Sequence, residues 1–256
     1  MLFTLDTSYM EKDFLAFKNR EIKAKSIFEI LEIDKNTAYN FVKKYHYLGN
    51  AKFFCVQAFG LYYKKLNKLV GVATYSLPQG IVSLNGWFGL GNDTKDIYEL
   101  SRLCLLPSLN GTNATSFLLG NSIRELKKQG FVRAIITLAC STRHVGSIYQ
   151  VCNFKYYGLS DSKTDFYRID GIVNPRGKTT DSRGVWLPRD RKHRYAYIID
   201  NSLVCNYSEM KKPTLESLDK SICCGGTQEV FDKRFGDWFS CPICCGELKL
   251  LRSENI

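Results

Sequence analysis

The chain of 256 residues carries 36 Lys and Arg against 25 Asp and Glu, a net charge of +11, and is 45% hydrophobic and 13% aromatic. That apolar content excludes a disordered polyelectrolyte and suffices for one large or two modest domains, while the charge predicts attraction to polyanions. No apolar run reaches membrane-spanning length, and Met1-Leu-Phe-Thr-Leu-Asp6 lacks the basic start and apolar stretch of a signal peptide, so a cytoplasmic chain with no membrane partner is expected.

Residues 1–25 are mixed and charged, with Phe14, Phe17 and Ile22 at loosely helical spacing, and read as an arm or a first helix without a functional signal. Residues 35–45 predict a helix with Ala38, Phe41 and Val42 inward, which delivers Tyr45-His46-Tyr47 to its C-terminal end. There His46 is either a cap favoured by the helix dipole or part of a site. Residues 53–62 and 69–75 are β-rich runs joined by a basic loop, an antiparallel hairpin. Residues 80–96 read as irregular and aromatic; Trp87 and Phe88 there are packing residues or a platform on which a flat acceptor stacks.

Residues 98–157 are the organising stretch. Tyr98-Glu-Leu-Ser-Arg-Leu-Cys-Leu-Leu106 alternates and then runs apolar, as a buried strand does, and Pro107 closes it. Turn residues then lead into Thr and Ser able to cap a helix whose stripe is Phe117, Leu118, Ile123 and Leu126, with Arg124, Lys127 and Lys128 before Gly130. A strand that runs through a small-residue loop into a helix N-terminus aims amide donors at one spot and favours a phosphate or diphosphate, although an ordinary connection has the same appearance. The candidate cofactor-binding residues are Cys104, Leu105, Asn110, Gly111, Thr112, Asn113, Ala114 and Ser116. Residues 134–139 predict a second buried strand, and residues 144–151 a short helix bearing Tyr149.

Residues 176–183 are polar and read as a surface loop. Arg189, Arg191, Lys192 and Arg194 then concentrate charge ahead of an apolar strand at residues 195–199; they form a phosphate-backbone rail or merely a solvated face. Ten cysteines, five of them between 223 and 245, argue for thiols and a metal site before disulfides in a reducing compartment. Cys223-Cys-Gly-Gly226 and Cys241-Pro-Ile-Cys244 resemble the two turns of a zinc ribbon, with Cys223, Cys224, Cys241 and Cys244 as ligands of a structural zinc, although Ser221 stands where a leading cysteine would be. The expected organisation is a catalytic domain over residues 1–200 and a small ribbon over 201–256.

Strand, anion loop, helix, strand and short helix is the order of the acyl-CoA-binding half of the GNAT acyltransferases. Within that order Glu99-Leu-Ser-Arg-Leu-Cys104 and His144-Val-Gly-Ser-Ile-Tyr149, with Tyr45-His-Tyr47 and Arg191-Lys-His-Arg-Tyr195, resemble the phage Mom family of DNA adenine carbamoylmethylation proteins. The resemblance implies an α/β (α+β) fold, a mixed central sheet flanked by helices, and an enzyme that converts adenine in double-stranded DNA to N6-carbamoylmethyladenine, protecting phage DNA from restriction in the host cytoplasm. It implies His46, Tyr47, Arg102 and Tyr149 as catalytic residues, with Tyr149 as the acid that protonates a departing thiolate. The donor it implies is an acyl-CoA or a glycine-derived group carried by tRNA, and iron is associated with the family, although His46, His144 and His193 show no iron-ligand spacing. One departure stands out: relatives carry Ala-Asp ahead of the His-Val-Gly segment, and this chain has Ala139-Cys140. The rival readings are an ordinary N-acetyltransferase acting on a small amine or protein, and a non-catalytic nucleic-acid-binding protein on a decayed acyltransferase fold.

Overall fold

The computed structural model describes residues 3–47, 53–78, 81–90, 95–168, 173–174, 183–217, 229–232, 237–241 and 249–253. Two compact units are present, interleaved along the chain where a boundary at residue 200 was expected. One comprises Met1–Thr137, Gly146–Tyr157 and Tyr195–Lys212; the other comprises Leu138–Val145, Gly158–Arg194 and Pro213–Ile256.

The first unit opens with helix α1 (Phe3–Lys18), a short α2 (Ala24–Ile27), strand β1 (Phe28–Ile33) and helix α3 (Lys35–Tyr45). Asp34 starts α3 by accepting the amides of Asn36 and Thr37 at 2.9 and 3.0 Å, and Ala38, Phe41 and Val42 face inward as their spacing predicts. The expected hairpin follows as β2 (Gln57–Tyr63) and β3 (Lys68–Ser76). Residues 80–96 are not irregular throughout, because Ile81–Phe88 forms helix α4. A glycine inside a helix costs stability, but at Gly86 a Cβ would lie 2.7 Å from the Tyr207 hydroxyl, so close packing requires it. Trp87 and Phe88 are buried in a cluster with Ile97, Ala134, Tyr157 and Leu203, which makes them packing residues and removes them as a stacking platform.

Strand β4 (Ile97–Leu105) leads through Gly111 into helix α5 (Ala114–Gln129), then β5 (Ala134–Cys140) and the short α6 (Ser147–Val151), the order expected from the sequence. Leu118, Ile123 and Leu126 of the expected stripe are buried, and Gly130 ends α5 in the left-handed region at φ 79°. With β6 (Lys155–Leu159) still to come and β10 (Lys192–Ile198) inserted beside it, the central sheet has the order β1-β2-β3-β4-β5-β10-β6. Its first four strands pair antiparallel and β4 pairs parallel with β5, giving the mixed α/β architecture expected. Among the described residues no helix is long and apolar enough to cross a membrane.

In the second unit β7 (Lys163–Arg168) pairs with β8 (Val173–Asn174) and β9 (Gly184–Arg189). A separate antiparallel sheet is formed by β11 (Glu229–Asp232), β12 (Asp237–Ser240) and β13 (Leu250–Ser253). Val185, Leu187, Phe239 and Cys241 make its buried cluster.

Candidate active site

β4 and β5 are in register only from Ile97↔Ala134 to Glu99↔Ile136, although β4 runs on to Leu105. The last link between them is Thr137 Oγ1 donating to the Leu100 carbonyl at 3.2 Å. Beyond it the two strands part, and polar backbone edges are opened between them. At the same level the register of β3 on β4 slips: Tyr75 faces Leu100 and Thr74 faces Arg102, which makes Ser101 the extra residue of a β-bulge. A bulge re-aims the groups around it, and here it turns Arg102 out of the regular alternation. Ser101 Oγ stabilises the bulge by donating to the Thr74 carbonyl at 3.1 Å.

Three further groups gather on this split. Tyr149, from α6, hydrogen-bonds to the Thr137 hydroxyl, and its ring lies against Tyr195 and Phe154 with centroids 5.4 and 5.7 Å away. Gly146, with φ 69°, makes this possible: a Cβ there would meet the Tyr195 ring at 2.7 Å and the Tyr149 ring at 2.9 Å. His46 is the C-cap residue of α3 and stacks on Tyr47 with ring centroids 4.4 Å apart. Arg102 lies with its guanidinium over the Phe53 ring at 5.1 Å and donates Nη1 to the Ser101 carbonyl at 2.7 Å. Its Nε is buried with no hydrogen-bond partner among the described residues. A buried donor without an acceptor is costly, and an oxygen brought by a substrate would relieve it.

The electrostatics link the four side chains. Burial first, and the Arg102 charge second, hold the His46 pKa below the ordinary imidazole value, so His46 is a neutral base at pH 7. Burial is also the largest influence on Tyr149; with Tyr47 nearby it raises the phenol pKa against the opposing Thr137 hydrogen bond, so Tyr149 stays protonated and can donate. His46 thus feels the Arg102 charge, and Tyr149 feels Tyr47, although these residues come from separate parts of the sequence.

The predicted cofactor-binding residues begin at the C-terminal end of β4, the end on which it parts from β5. Cys104 and Ala114 are buried; burial raises the Cys104 thiol to about 11, so it packs and does not present a thiolate. Ser116 Oγ turns back to the Asn113 carbonyl at 2.9 Å, and the helix is capped by Thr112, whose Oγ1 accepts the Ala114 amide at 3.2 Å. The next amides, of Thr115 and Ser116, have no intrahelical acceptor, as at any helix start. Gly111 has φ 77° and open space where a Cβ would be, while Leu105, Asn110 and Asn113 are exposed or half-exposed along the same loop. A helix start beside an open glycine turn is the general form of an anion-binding loop.

In the second unit the basic segment is more tied down than a solvated rail. Arg189 donates twice to the Asp165 carboxylate, Arg191 Nε donates to the Ser160 carbonyl at 2.8 Å, and Arg194 pairs with Asp161 at 3.6 Å. His193 is buried, on the side opposite its neighbours. Cys140 donates Sγ to Asp190 at 3.1 Å and lies 3.3 Å from the Thr142 hydroxyl, so a carboxylate from the turn between β9 and β10 stands against the thiol. His144 precedes α6 instead of lying within it, and burial, then Lys192 and Arg143, lower its pKa. Among the described residues no group of three His, Cys, Asp or Glu is placed to hold a metal ion, so neither iron nor zinc finds a ligand set there. Of the expected zinc ligands, Cys223, Cys224 and Cys244 lie outside the described residues, as do residues 176–182 of the expected surface loop; Cys241 is buried beside Phe239.

Sequence reasoning missed Thr137, Ser101 and Phe53 as site residues; only their β-rich contexts were visible. No curated protein matches the chain in sequence. Solved structures that share its course include the ribosomal-protein-S18-alanine N-acetyltransferase of Escherichia coli, 16% identical over 68% of this chain and 95% of that one, TM-score 0.41. The IAA acetyltransferase of Bacillus cereus is 12% identical over 67% and 99%, TM-score 0.42. The spermidine/spermine N-acetyltransferase of Vibrio cholerae is 9% identical over 69% and 95%, TM-score 0.43. These likenesses are loose, and the site stands on this chain's own geometry. The model of the Mom protein family matches residues 27–214, which spans β1 to β10 and includes His46, Tyr47, Arg102 and Tyr149, and the chain belongs to that family.

Proposed function

We propose that the protein is an acyltransferase-type enzyme that modifies the exocyclic amine of adenine in DNA, with N6-carbamoylmethyladenine as the product and protection of phage DNA from restriction as the purpose. The observation that carries the reading is that one family match spans the split, the bulge and the residues His46, Tyr47, Arg102 and Tyr149. An acyl-CoA, when bound, would supply an activated carbonyl, as would a glycyl group carried by tRNA; attack there by the amine breaks the thioester or ester bond and leaves an N6-acyl adenine, and the glycyl adduct is an isomer of N6-carbamoylmethyladenine that must rearrange, with no atom gained or lost, to become it. The orphaned Nε of Arg102 fits that carbonyl oxygen, since charge developing there during attack is met by a fixed donor. Neutral His46 accepts the proton that the weakly nucleophilic amine must lose. Protonated Tyr149 delivers a proton to the leaving group. The adenine must leave the base stack to present its amine, and exposed Tyr47 is the side chain against which an extruded base would stack.

Mass analysis of nucleosides from cells expressing the protein tests the reading: a modified deoxyadenosine is expected, and DNA binding without one would favour the non-catalytic alternative. A second expected outcome concerns pH. Both influences on His46 favour its neutral form, so kcat/KM should hold as pH falls to the ordinary histidine value of about 6.5 and decline only below it. His46→Asn should lose that acid limb along with roughly 10²-fold or more in rate; an unchanged limb would assign the base elsewhere.

Duplex DNA as partner rests on the basic segment. Asp165 already neutralises Arg189, whereas the charges of Arg191 and Lys192 face no carboxylate among the described residues. Arg191→Ala with Lys192→Ala should therefore lower the slope of log affinity against log salt by roughly two units. Arg189→Ala should change the slope little. An unaltered slope in the double variant would move an ordinary acetyltransferase ahead.

A further inference from the structure

Helix α1 ends in a hydrogen-bonded cap: the Arg20 amide donates to the Phe17 carbonyl at 3.0 Å and the Glu21 amide to the Ala16 carbonyl at 2.9 Å. This pairing needs one residue in the left-handed region, a place usually held by glycine or asparagine. Here it is held by Arg20, at φ 63°. A long side chain on a backbone that disfavours it calls for a reason. After the cap, residues 17–24 lie beside the glycine loop of α5, and a partly open cavity of about 330 Å³ is lined by the exposed Lys18, Arg20 and Lys23 together with Gly111, Thr112 and Asn113. No carboxylate lines it. Asp13 of the same helix is engaged by Lys65 and Tyr63, and Glu21 accepts from Asn19. None of the three cations forms an ion pair among the described residues. All three lie ahead of residue 27, outside the stretch matched by the family model.

We propose that this cavity is a second phosphate subsite, in which Lys18, Arg20 and Lys23 bind a terminal phosphate monoester of the nucleotide carrier whose diphosphate lies on the neighbouring loop. The proposal rests on the donor reading above and narrows it to a carrier of the coenzyme A type, which bears both a diphosphate and a separate 3′-phosphate. A dianionic monoester placed among three cations at a site without acids is held by charge-assisted hydrogen bonds, and a guanidinium reads it with two donors at once. The volume admits a phosphate with part of its ribose but not a folded macromolecule.

Calorimetric titration of the full chain with coenzyme A and with 3′-dephospho-coenzyme A tests this. The wild type should prefer coenzyme A by roughly tenfold or more, the size of one or two charge-assisted contacts. Arg20→Gly should abolish most of that preference and leave 3′-dephospho-coenzyme A binding as it was. Because glycine suits the left-handed position, the same variant should melt no lower than wild type, which separates lost recognition from lost fold. Lys18→Ala with Lys23→Ala should repeat the loss of preference. Equal affinities for the two carriers in the wild type, or equal losses for both in Arg20→Gly, would overturn the subsite. So would a wild type that binds neither carrier, or an Arg20→Gly variant that loses tRNA binding alone. None of these results touches the adenine reading, which depends on the modified nucleoside.

Discussion

Replacing Tyr149 by Phe is expected to lower the yield of modified nucleoside per enzyme by roughly 10²–10⁴-fold, the usual worth of a positioned general acid. The ring should stay where it is, because Tyr195 and Phe154 pack against it ring to ring. The lost hydrogen bond leaves Thr137 its donation to the Leu100 carbonyl, so the split keeps its shape. Stability should therefore change little while turnover collapses. Rates measured in single turnover, beside a thermal melt, decide the matter: activity within twofold of wild type would remove Tyr149 from proton transfer and leave it a structural phenol. Its raised pKa predicts in addition that the wild-type rate shows no alkaline decline from this group up to the ordinary phenol value of about 10.

Trp87→Ala is expected to cost about 3–5 kcal/mol, the range for removing a large aromatic from a packed interior. Trp87 is 2% exposed and meets Tyr157 and Tyr207 edge-on with centroids 5.6 and 5.3 Å away. Its truncation leaves a void bordered by α4, β5 and the segment carrying Tyr207, none of which can close up without losing other contacts. Chemical denaturation would read the loss as a lower midpoint at unchanged slope. A variant of wild-type stability with impaired DNA binding would restore the stacking role that the buried position argues against.

The sequence made the central elements readable because their physics is local. Alternation set β4, the periodic stripe and Gly130 set α5, and the inward trio Ala38, Phe41 and Val42 set α3. Helix α4 escaped because Asn85, Gly86 and Trp87 are poor or indifferent helix formers; burial against Ile97 and Tyr157 overrides their propensity. Arg102 and Tyr149 were legible as members of motifs, yet the bulge that turns Arg102 and the hydroxyl of Thr137 that holds Tyr149 depend on register between strands, which leaves no mark in either strand alone. The basic cavity was out of reach for the same reason. It joins residues 18–23 to residues 111–113 through an arginine in a glycine's conformation, and nothing in the spacing of charges signals that.

The fit of Gly146 between two tyrosine rings has a consequence for when the chain gives up its freedom. A phenol that swings into place only when substrate arrives spends part of the binding free energy on losing its rotamers. The ring of Tyr149 instead lies against Tyr195 and Phe154, with backbone so close that a single methyl at position 146 would collide with both tyrosines. Its conformational entropy is surrendered during folding, before any donor is met. Gly146→Ala should accordingly slow turnover without altering any reacting group, since the hydroxyl would be displaced by a fraction of an ångström from where the leaving atom departs.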